Sequence, residues 1–77
     1  MSSPREVEMF ALEIFVKNGL QCGISEVTDD VLSDLWILRV KMSGKTKPIP
    51  LAIDKGSEEE MKDQIRKFVP FLKADCC

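Results

Sequence analysis

Pro48 and Pro50 stand two residues apart in "KPIPLAID", where Ile49, Leu51 and Ile53 otherwise alternate as a strand does. Residues two apart in a strand aim their backbone groups at the same neighbour, so the two prolines strip donors from one flank only. The other flank stays free to pair. The segment is therefore predicted to be an edge strand, guarded on its outer side against sheet-to-sheet association.

Its partner is the preceding run. In "LWILRVKM", residues 35–42, Trp36, Leu38, Val40 and Met42 share one face, and Ile37, Arg39 and Lys41 take the other. Trp36 is expected to be a core or interface anchor with its N–H near solvent. "SGKT" joins the two strands as a hairpin turn, with Gly44 available for a positive φ. Residues 21–27, "QCGISEV", read as a first strand, and "TDDVLSD" reads as a loop.

A helix opens the chain. Ser3 is suited to its N-cap, Pro4 to its first position and Glu6 to a capping box, and Asn18-Gly19 supplies the stop. Val7, Phe10, Ala11 and Ile14, extended by Phe15, form one apolar stripe; Met9, Leu12 and Val16 form another, roughly opposite. A second helix starts at Ser57, with Glu58, Glu59 and Glu60 at the positive end of its dipole. It carries a single stripe of Met61, Ile65, Phe68 and Leu72. Pro70 is expected to end or kink it near Val69. The fold class that follows is α+β in the order α-β-β-β-α, with two helices on one face of a three-stranded antiparallel meander sheet. Residues 1–77 are read as a single small domain, its ordered core spanning about 3–72 and its tail 73–77 frayed.

The double-stranded RNA-binding domain is similar in element order and approximate length. That resemblance implies basic residues at the start of the second helix, to grip phosphates; here the same place reads "GSEEEMKD", and its glutamates repel a phosphate backbone. The likeness is one of topology, which does not carry function. A basic set at the hairpin, Arg39, Lys41, Lys45 and Lys47, is a candidate nucleic-acid patch, although no tyrosine or row of exposed aromatics accompanies it for base stacking.

The chain of 77 residues contains no histidine, which removes the commonest general base and metal ligand together. Its glycines build no phosphate cradle, and Asp29-Asp30 beside Thr28 suit local turn bonding better than acid–base work. The expectation is a protein that is not an enzyme and needs no cofactor. No apolar run is long enough to span a membrane, and no secretory signal is visible, so a cytoplasmic location is expected. Of the cysteines, Cys22 is expected to be a small buried apolar residue. The terminal pair in "KADCC", Cys76 and Cys77, are candidate reactive thiols for disulfide exchange or a soft metal, but they lack C-x-x-C spacing.

The second stripe of the first helix is the strongest functional signal. A helix on one sheet cannot turn opposite sides to the same surface. Met9, Leu12 and Val16 are therefore the candidate interface of a homodimer, and the chain is expected to act through protein–protein contact with a partner the residues do not name. Net charge is −2, and it is unevenly spread: the first forty residues hold three basic against seven acidic side chains, the remainder eight against six.

Overall fold

The computed structural model of the protein describes residues 3–76. Helix α1 spans Pro4–Lys17, strand β1 Cys22–Asp30, β2 Leu35–Met42, β3 Ile49–Asp54, and helix α2 Glu58–Cys76. The sheet is antiparallel in the order β1-β2-β3, and both helices lie on the face that carries the apolar side chains of β2. This is the α+β order read from the sequence. β2 occupies the residues expected of it, and Trp36, Leu38, Val40 and Met42 are all buried. Val7, Ala11, Phe15, Met61, Ile65 and Leu72 meet them from the two helices.

The caps explain why the helices begin and stop where they do. The Ser3 hydroxyl accepts the Glu6 N–H, and Ser57 and Glu60 bond each other's backbone N–H reciprocally. α1 ends in a paired turn: Gly19, at φ 71°, donates to the Val16 carbonyl and Leu20 donates to Phe15, while buried Leu20 and Phe15 seal it.

The outer edge of β3 can be accounted for group by group. The side-chain amide of Gln64 accepts from the Asp54 N–H at 2.7 Å and donates to the Asp54 carbonyl at 3.1 Å, so Asp54 turns its backbone away from β2 and toward α2. Strand alternation aims Pro50 and Ala52 the same way. Pro48 and Pro50 have no N–H to offer, Gln64 occupies Asp54, and Ala52 keeps the remaining outward donor of the strand. The other edge strand, β1, is interrupted by a bulge between Ile24 and Glu26, which also breaks a regular template for pairing.

Two expectations are corrected. β1 runs on through Thr28, Asp29 and Asp30, which the sequence assigned to a loop; they pair with Ile37, Trp36 and Leu35. The strong β2 template overrides the weak local propensity of the aspartates, and the turn shrinks to residues 31–34, with Asp34 at φ 56°. α2 continues through Pro70 to Cys76, so Lys73–Cys76 belong to the helix. Pro70 faces away from the core, and burial of Val69 and Leu72 on the opposite side holds the next turn despite the donor missing above Arg66.

α1 and α2 run in the same direction. Lys62 Nζ lies 5.2 Å from the centre of the Phe10 ring, and Asn18 shares a groove with Arg66, Val69, Pro70 and Lys73. Both helix N-termini therefore sit at one end of the molecule, beside the β1–β2 turn and the β3–α2 connection. There Asp29, Asp30, Asp34 and Glu58–Glu60 collect. Both C-termini sit at the other end, with Lys17, Lys41, Lys45, Lys47 and Lys73. The distribution opposes two helix dipoles that point the same way.

Pro50→Val restores an outward donor to an edge where few remain. It is expected to preserve the fold and to increase self-association in light scattering; unfolding without added association would show that the proline supports β3 rather than guarding it. Pro70→Ala restores a donor for the Arg66 carbonyl and is expected to raise stability by up to about 3 kcal/mol in denaturant titration.

Candidate interaction surface

α1 buries Val7, Ala11, Ile14 and Phe15. On its far side Met9 is 60% and Val16 76% exposed, while Leu12, on the flank between them, is half-buried against the core. The structure thus places all three predicted residues along one side of the helix, with Leu12 partly consumed by the protomer's own packing. Phe10, assigned to the inner stripe, is half-buried at the seam with α2 under the Lys62 ammonium. The Glu58 carboxylate lies 3.0 Å from Lys62 and holds that ammonium above its ordinary range. Lys17, bonded to Glu13 at 3.0 Å, pulls the Glu13 carboxyl below its ordinary range, and Lys62 and Arg66 add to the pull.

The basic set is divided. Arg39 lies on the sheet face that no helix covers, where its guanidinium is 4.0 Å from the Glu26 carboxylate and 3.4 Å from the Thr28 hydroxyl. Lys41 follows on the same face, whereas exposed Lys45 and Lys47 belong to the β2–β3 turn, which tightens through a Lys45 N–H to Met42 carbonyl bond. The uncovered face also carries Asp30 and Asp54 beside half-buried Leu35 and Ile37. Arg39 is therefore held in a cross-strand pair, apart from the turn lysines.

Trp36 is 4% exposed and belongs to the core. Lys55 sits with its Nζ 5.0 Å from the ring centre and pairs with Asp29, the cross-strand neighbour of Trp36, so a cation–carboxylate pair closes the core over the indole. Cys22 is half-buried against the core, less enclosed than expected. Cys76 is the last residue of α2, and Cys77 lies outside the described residues. Among the described residues no three histidine, cysteine or acidic side chains converge as metal ligands would.

One exposed apolar pair escaped the sequence reading. Val31 and Leu32, at the tip of the β1–β2 turn, are 74% and fully exposed. Their signal was present, two adjacent apolar residues inside a polar turn, but a loop assignment carries no orientation. Phe71, 56% exposed on α2, was likewise not singled out.

Family models, curated proteins and solved structures yield no match to this chain.

Leu72 is the last buried residue of α2 among those whose burial is described, and deleting Cys76 and Cys77 is expected to leave the melting temperature in reductant nearly unchanged. Without reductant, the intact chain is expected to form covalent dimers on non-reducing electrophoresis that the deletion lacks. A drop of several degrees in the reduced deletion would show that the pair is packed or ligated.

Proposed function

We propose that this is a non-enzymatic protein that acts through protein–protein contact, and that it does so as a homodimer built on the outer side of α1. The observation that carries the proposal is the exposure of Met9 and Val16 on a helix whose opposite side is already buried. Fully burying a side chain of this size contributes about 1.5–3 kcal/mol, and a symmetric contact buries Met9 and Val16 from each copy together with the part of Leu12 still exposed. Association costs at least about 4 kcal/mol in lost translation and rotation, so the contact has a surplus where a single exposed side chain has none. For a chain this short, with limited core, that surplus also adds to folding stability.

A cytoplasmic setting accompanies this proposal, and no helix among the described residues is long and apolar enough to cross a membrane. Nucleic acid is the weaker alternative: Lys41, Lys45 and Lys47 are exposed where phosphates could approach, but Arg39 is engaged by Glu26, and Asp30 and Asp54 share its face. A thiol-dependent role for Cys76 and Cys77 ranks third.

Sedimentation equilibrium at micromolar concentration tests the proposal. The wild type is expected to be a dimer whose melting temperature rises with concentration. Val16→Glu changes an exposed position, so it is expected to give a folded monomer whose melting no longer depends on concentration. Leu12→Glu should also yield a monomer, with added loss because Leu12 touches the core. Glu13→Lys should leave the mass unchanged. A monomeric wild type would remove the proposal.

A further inference from the structure

We infer that the two copies pair with their α1 helices antiparallel, about a two-fold axis passing between Leu12 and Glu13; this rests on the homodimer proposed above and specifies its geometry. Met9 and Val16 are seven residues apart, about 10.5 Å along the helix, with Leu12 between them. An antiparallel axis at that point sets Met9 level with the partner's Val16, and Val16 level with the partner's Met9. Leu12 meets its own copy at the centre. The contact is isologous and closes on itself.

Charge selects this orientation over the parallel one. Glu6, Glu13 and Lys17 follow one another along the exposed flank beside the stripe. A two-fold perpendicular to the helices keeps this flank beside the same flank of the partner; Lys17 comes toward the partner's Glu6, and the two Glu13 side chains meet near the axis, each paired with its own Lys17 at 3.0 Å. The preference for this orientation comes from the whole body. Acidic side chains outnumber basic ones at the end that holds both helix N-termini, where Lys55 and Lys62 are paired with Asp29 and Glu58, and lysines prevail at the end that holds both C-termini. A parallel dimer doubles each concentration of like charge. An antiparallel dimer sets the acidic end of one copy beside the basic end of the other, and opposes the helix dipoles that the protomer itself leaves aligned.

Disulfide trapping in the full chain decides the orientation. In a background of Cys22→Ala, Cys76→Ser and Cys77→Ser, shown by melting to be folded, Met9→Cys and Val16→Cys are oxidised separately and as a mixture, and the products are resolved by intact mass. A disulfide needs Cα atoms about 4.4–6.8 Å apart, whereas copies of the same residue lie about 10 Å apart along an antiparallel pair. The mixed product, joining the Met9→Cys chain to the Val16→Cys chain, is expected to exceed either symmetric product at least tenfold. Efficient symmetric cross-linking of each variant alone would mean parallel helices, overturning this inference while leaving the homodimer intact. No cross-linking from a species that sediments as a dimer would move the interface away from α1 and overturn the inference. No cross-linking from a monomer would overturn both.

Discussion

The central strand β2 is the element on which the rest of the molecule depends. It pairs with a neighbour on each side, and its inner residues Leu38 and Val40 are completely buried between the flanking strands and the helices above. Its alternation of Trp36, Leu38, Val40 and Met42 excludes a slip of one residue, which would bring Ile37, Arg39 and Lys41 into the core. That template is strong enough to draw Thr28–Asp30 into pairing, and their own propensities would not have done so. It also places Asp29 opposite Trp36, where Lys55 can reach both.

Each outer strand then carries its own protection, by different means. β3 removes donors through proline and gives one to Gln64, while β1 distorts its edge with a bulge. The Gln64 contact has a further consequence. It bonds α2 to the end of β3 at the point where the short connection 55–57 turns the chain, so the helix leaves the sheet in a defined direction. Met61 and Ile65, on either side of Gln64 along the helix, are thereby set over the core.

The parts of the fold that were legible in the sequence are those in which local and tertiary preferences agree. Ser3, Asn18-Gly19 and Ser57 with Glu60 mark helix ends by side-chain chemistry that acts within a few residues, and β2 and β3 announce themselves by alternation. Illegible parts were those decided at a distance. Pro70 reads locally as a stop, yet Leu72 is buried beyond it, and the core overrules the break. The extension of β1 depended on β2. The Met9–Val16 surface was legible because two opposed stripes are a property of one helix, whereas the half-burial of Leu12 required knowing how α1 rests beside β1. The apolar pair Val31-Leu32 was visible in the sequence but its orientation was not, since a turn has no periodicity to orient its side chains.

Two features of α1 pull in one direction. Its inner side is made close-fitting by fully buried Ala11, which lets the helix approach the sheet. Its outer side then presents Met9 and Val16 without a neighbouring element to shelter them, because α2 lies on the other flank, joined through Phe10 and Lys62. Moving these residues into the protomer would require a further element over β1, and the described chain has none to give. Solvent exposure of a lone valine is ordinary, but Val16 shares its side of the helix with Met9 two turns away, so the two exposures fall on one side of a helix already buried on the other.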